Sequence, residues 1–216
     1  MARSLAMAGL LLCLAGGIGR AEPAAFTPRL SDAPAAMEYW DVAARLDGGR
    51  RFVARFLITN EGPGVHTAAA VAHLVLADGR VVPIRYGRMR DGWRLGGAGR
   101  HIKIASAVLD LSDAHWRVVV DSDTHGFKVR LQLDEPAMPL SCALFPAPDG
   151  RTVVTPTPAR GTIWVRGMPA PQPVSGTLAL THTFLARGDT DQPRRSAEIF
   201  ATTADTNLYL AELTGA

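Results

Sequence analysis

VSGTLALTHTFLARG, residues 174–188, alternates almost without interruption. In an extended chain Gly176, Leu178, Leu180, His182 and Phe184 share one face, and Thr177, Ala179, Thr181, Thr183 and Leu185 share the other. A period of two marks a strand. Here it places a histidine in line with two leucines and a phenylalanine.

The same period recurs through the chain. FKVRLQLD, residues 127–134, sets Phe127, Val129, Leu131 and Leu133 against Lys128, Arg130, Gln132 and Asp134. That pattern predicts a half-buried strand with a wet outer face. RRFVARFLI alternates Phe52, Ala54, Phe56 and Ile58 against Val53, Arg55 and Leu57. Asp47-Gly48-Gly49 and Asp78-Gly79 lie between such runs, where hairpin turns are expected. Ser122 to Gly126 reads as a turn, and so does Asp91-Gly92. Helical signals are poor: AAAVAHLVLA is valine-rich and runs into a hairpin turn, so it reads as strand. Roughly nine or ten short antiparallel strands imply a barrel or a strongly bent sandwich. With about eight strands or more, a barrel interior can hold a small ligand. Its inward face would carry Phe52, Phe56, Phe127, Val129, Leu178, Leu180, His182 and Phe184.

The first segment reads differently. Arg3 gives a short basic start, Leu5 to Leu14 an apolar run, and Gly19-Arg20-Ala21 small residues at a peptidase site. Residues 1–21 are therefore expected to be a secretory signal, residues 22–37 an N-terminal extension, and residues 38–216 the β domain. The run falls short of the roughly 20 apolar residues a membrane span needs. Lipidation at Cys13 is disfavoured because Leu12, not a small residue, precedes it. Losing Arg3 and Arg20 lowers the formal charge from +3 to +1, and no basic stripe with interleaved aromatics remains. Nucleic acid is thus not an expected partner. Cys142 alone remains in the mature chain, within an apolar run, and reads as an inert buried thiol.

His182 admits three settings: a core residue satisfied by threonine or backbone groups, a polar contact in an apolar pocket, or a proton-transfer group. Its own strand supplies no carboxylate partner. No HExxH or cysteine pair is present, and no cofactor or metal is expected. His115 and His125 each follow an aspartate by two residues, but turn chemistry accounts for Ser-Asp better than a metal does. Asp110, Asp113, Asp121 and Asp123 read as solvated turn residues. Glu38 and Trp40 share a strand face, which sets a carboxylate beside an indole.

Several segments in order carry a resemblance. They are MEYWDVAARLDGGRRFVARFLITNEGPG, AAVAHLVLADGRVVPIRYG, HIKIASAVLD and TPARGTIWVRGMPAPQPVSGTLALTHTFL. Together they resemble the lipocalin-like superfamily of AttH-type proteins, hydroxyneurosporene synthase (carotenoid 1,2-hydratase) and the fungal survival-factor proteins. The resemblance runs from Glu38 to Leu213. It implies an all-β, calycin-type antiparallel barrel, with residues beyond about 185 read as the start of a second one. It also implies that Trp40 closes one end of the barrel by packing. The family's Gly-x-aromatic-x-x-His stretch matches Gly176 to His182, with Leu178 and Leu180 where an aromatic and an acidic residue stand in the family.

The expected function is a secreted, periplasmic barrel that binds a hydrophobic small molecule or lipid. Trp40, Phe52, Phe56, Phe127, Leu178, Leu180, His182 and Phe184 are its expected contacts. A hydratase adding water to an isolated C=C bond is the enzymatic alternative, with His182 and Glu38 as catalytic candidates. A half-barrel that packs on a partner is the structural alternative.

Overall fold

A computed structural model describes residues 11–13, 26–60, 64–88, 90–112, 116–133, 140–142, 150–186, 195–202 and 207–214. The strands are β1 (Leu11–Cys13), β2 (Met37–Leu46), β3 (Arg51–Thr59), β4 (Thr67–Val75), β5 (Val81–Arg88), β6 (Trp93–Gly96), β7 (His101–Ile104) and β8 (Ala107–Asp110). They continue as β9 (Trp116–Ser122), β10 (Phe127–Leu133), β11 (Leu140–Cys142), β12 (Gly150–Val165), β13 (Gln172–Leu185), β14 (Arg195–Thr202) and β15 (Asn207–Thr214). One 12-stranded antiparallel sheet runs β5-β4-β3-β2-β13-β12-β10-β9-β8-β7-β6, with β11 beside β12. The protein is thus an all-β, nearly closed barrel of lipocalin-like type. β1, β15 and β14 form a separate three-stranded sheet. β1 lies within the segment read as a secretory signal, but β14 and β15 pair with each other without it.

Alternation shapes the wall. Positions 38 to 46 of β2, 52 to 58 of β3 and 68 to 74 of β4 bury every second residue. The turns fall where glycine permits them: Gly48 and Gly49 have φ of 62° and 75°, and Gly79 has 81°. A long-range pairing, β13 against β2, joins the two halves of the chain, with His182 opposite Trp40. The strand path ends at β5 and β6, which are consecutive in the chain, and side chains hold that seam. The Ser106 hydroxyl bonds the Tyr86 hydroxyl at 3.1 Å and the Asp121 carbonyl. Trp93 Nε1 donates to the His66 carbonyl at 2.8 Å.

Two glycines sit where backbones meet. A Cβ at Gly161 would fall on the Arg130 carbonyl oxygen, and one at Gly176 on that of Arg45. β12 and β13 are 16 and 14 residues long, and their pairing shifts between Val154 and Thr157. Strands of this length must bend to follow a barrel, and glycine allows the close approach a bend creates.

The inward side chains pack into one cluster, which includes Trp40, Phe52, Phe56, Phe127, Leu178 and Leu180. Phe26, from the segment expected to be an extension, is fully buried in it. Phe26 meets Trp116 edge-on at 5.1 Å, and Phe52 meets Phe127 at 6.3 Å. The hollow interior expected from the alternation is therefore packed with the strands' own inward side chains, to which the N-terminal segment adds Phe26.

On the outside, the aspartates are ion-paired. Asp121 meets Arg130 and Lys128, and Lys128 also meets Asp123 at 2.7 Å. Asp110, only 8% exposed, takes Arg117 Nη2 at 2.6 Å and the Ser112 N–H at 3.2 Å. Burial alone would raise its pKa. The hydrogen bonds from Arg117 and Ser112 outweigh that and hold it below the ordinary carboxylate value.

Two outcomes follow. A Gly176→Ala or Gly161→Ala change should cost about 1–3 kcal/mol through backbone displacement, against at most about 0.5 kcal/mol for Gly87→Ala, where a methyl meets nothing. Urea midpoints of the three variants measure this. A depressed folded pKa contributes stability above the unfolded value and loses it as pH falls through the folded one. Asp110→Asn should therefore flatten the fall in thermal midpoint below about pH 4.

Candidate functional site

Glu38 and His182 come from strands far apart in sequence. β2 and β13 pair so that Glu38 faces Phe184 and His182 faces Trp40. Glu38 is thus a diagonal neighbour of His182 on the inward side, within reach for long side chains. Its Oε1 lies 2.7 Å from His182 Nε2, and the two side chains are 3% and 4% exposed. The carboxylate His182 lacks on its own strand comes from the next one.

The carboxylate is also held from the other side. The Arg29 N–H donates to Oε1 at 3.0 Å and to Oε2 at 3.1 Å, and the Leu30 N–H donates to Oε2 at 3.0 Å. Successive backbone N–H groups form such a concavity for an anion. Leu30 has φ of 41°, a left-handed conformation that an L-residue adopts at a cost, and Glu38 rewards it directly. Each carboxylate oxygen thus has two neighbours. Three donors hold the two oxygens, the Arg29 N–H being shared between them.

The rings complete the arrangement. Trp40 stacks on His182 at 4.7 Å with 5° between planes. Phe26 lies on the histidine at 6.0 Å. Trp40 Nε1 donates to the Phe26 carbonyl at 3.1 Å, so the fully buried indole ties in the N-terminal segment. Arg29 Cζ lies 5.0 Å over the Phe184 ring. Asn60 Nδ2 donates to the carbonyls of Ser31 and Ala33 at 2.9 and 2.8 Å. The free space beside Glu38 is about 10 Å³, enough for roughly one water.

The structure buries the expected contacts Trp40, Phe52, Phe56, Phe127, Leu178, Leu180, His182 and Phe184, and the N-terminal segment meets Trp40, His182 and Phe184 among them. His125 is exposed, with Nδ1 2.7 Å from Ser122 Oγ. Asp113 and His115 lie outside the described residues, as do the side chains of Cys13 and Cys142 and the proposed signal cleavage site.

Space of ligand size lies on the other side of the wall. A cavity of about 560 Å³ rests on the outward face of β13, β2, β3 and β4, over Ala179, Ala43, Val53 and Val71. Asp41, Arg55, His73 and Thr181 give it polar edges. A second space of about 390 Å³ shares Ala43, Val53 and Ala179 with it. The signal for this face was present in the sequence: Ala43, Val53, Val71 and Ala179 are apolar at outward positions, where FKVRLQLD carries charges. Pairing places Ala179, Ala43, Val53 and His73 side by side across four strands. Sequence reasoning could not assemble that row without the register.

Removing a partner from a buried pair strands the other. Glu38→Ala should cost about 3 kcal/mol in thermal or urea unfolding. The Arg29 and Leu30 amides should then lose hydrogen-exchange protection together.

No protein-family model and no curated protein sequence matches the chain. Solved structures do. A crystal structure from Nitrosomonas europaea, assigned to AttH, superposes with a TM-score of 0.68 at 17% identity, covering 92% of this chain and 68% of that one. The crystal structure of CghA with Sch210972 aligns with a TM-score of 0.49 at 12% identity, covering 88% of this chain and 60% of that one. The likeness to the Nitrosomonas europaea protein shows that this chain has the AttH-like, lipocalin-like barrel fold.

Proposed function

We propose that this protein is a secreted, periplasmic β-barrel that binds a hydrophobic small molecule on the outer face of its wall. The observation that carries the reading is the cavity of about 560 Å³ over Ala43, Val53, Val71 and Ala179. Its volume falls within the roughly 300–1,000 Å³ typical of ligand sites, and its floor is apolar with a few polar groups at the edge. Val53 is 44% exposed, an apolar side chain of this size left uncovered in mid-strand. Covering such surface contributes about 25 cal/mol per Å².

The hydratase alternative has less support. It needs an acid open to an alkene in a shielded cavity. Glu38 already holds three donors, and the space beside it is about 10 Å³. The Glu38–His182 pair reads instead as the fastening of the N-terminal segment.

Titration with the neutral fluorophore Nile red tests the reading. The wild-type protein should bind it saturably. Ala43→Trp, which fills the floor of the cavity, should weaken binding by about tenfold or more, the loss expected when a methylene-scale fit is blocked. The interior variant Phe52→Leu should leave binding unchanged. Absent saturable binding, or equal binding by Ala43→Trp, defeats the proposal.

A further inference from the structure

The outer cavities have chemically different ends. Register places Arg45 directly opposite Arg51 across β2 and β3, with Thr177 on the far side of Arg45. Both arginines are exposed and border the space of about 390 Å³. Neither has an acidic partner among the described residues. Like charges facing each other across a ladder destabilise it. An anion between two guanidinium groups removes that repulsion and gains charge-assisted hydrogen bonds.

The other end is neutral. Arg55 is occupied by Asp41, with Nε–Oδ1 at 2.6 Å and Nη2–Oδ2 at 2.7 Å, and its Cζ lies 4.3 Å over the Tyr39 ring. Thr181 lines the cavity here, is 2% exposed, and its hydroxyl has no hydrogen-bond partner. A buried hydroxyl without a partner is costly. Thr183, two residues on, is likewise unpartnered but borders neither cavity.

From Arg45 to Asp41 the floor spans four residue steps of β2, about 13 Å at the rise of a strand. Between them lie Ala43, Val53 and Ala179. We infer that the ligand of this face is an acyl-chain carboxylate of medium length, its carboxylate held by Arg45 and Arg51, its chain on Ala43, Val53 and Ala179, and a hydrogen-bonding group at its far end meeting Thr181. The inference rests on the hydrophobic-ligand reading and names the ligand's chemistry.

Displacement of Nile red by three probes separates the two. Dodecanoate should compete about tenfold better than dodecanol at low salt, and the difference should shrink as salt screens it. Arg45→Gln and Arg51→Gln should each remove that preference while leaving dodecanol unchanged. ω-Hydroxydodecanoate should bind tighter than dodecanoate by about threefold or more, and Thr181→Val should abolish the gain. Without ligand, Arg45→Gln should leave the thermal midpoint unchanged or raise it. Equal competition by dodecanoate and dodecanol, or a preference that survives both arginine variants, overturns the carboxylate assignment. A hydroxyl gain that survives Thr181→Val overturns the far-end contact. If none of the probes displaces Nile red and Nile red itself does not bind, the hydrophobic-ligand reading fails instead.

Discussion

The bond between Glu38 and the backbone of residues 29 and 30 decides what kind of barrel this is. The carboxylate takes two amide N–H groups and the His182 imidazole, out of water. Each of these groups would be costly to bury alone, and each is satisfied only by the others. The pair therefore forms only when β2 and β13 are in register and the N-terminal segment lies against Glu38. Once there, the segment delivers Phe26 against Trp116, Trp40 and His182. A barrel wall could enclose a hollow, whereas here Phe26 of the same chain packs into the interior cluster.

The filled interior and the open exterior are linked. The inward residues of β13 through β4 pack into one cluster, and their outward neighbours line the cavity. Outward positions of these strands carry alanine and valine in the middle, the ion-paired Asp41 and Arg55 at one end and Arg45 and Arg51 at the other. Alanine at 43 and 179 leaves depth, and Arg55 is kept from folding over the floor by Asp41 and Tyr39. The cavity thus exists because the side chains around it are short or already engaged.

The AttH-like fold does not decide the chemistry. Identity of 17% to the Nitrosomonas europaea protein establishes how the chain is folded and leaves the site to be argued from its own residues. A buried acid beside a histidine looks like catalytic equipment in a sequence. With three donors already on the acid and about 10 Å³ beside it, it is better understood as the anchor of a chain segment.

Period-two alternation by itself determined the strands, the turns at Asp47-Gly48-Gly49 and Asp78-Gly79, and which residues face inward, because the pleat leaves no freedom in that assignment. It likewise placed Glu38 and Trp40 on one face. It could not say that Glu38 meets His182, 144 positions away, since that depends on β13 closing against β2. Nor could it say that Phe26 joins the interior, since that residue comes from a segment with no period of its own. The row from Ala179 through Ala43 and Val53 to His73 is a property of register across four strands. Local sequence sets the face a side chain points to; only tertiary pairing sets its neighbours on that face.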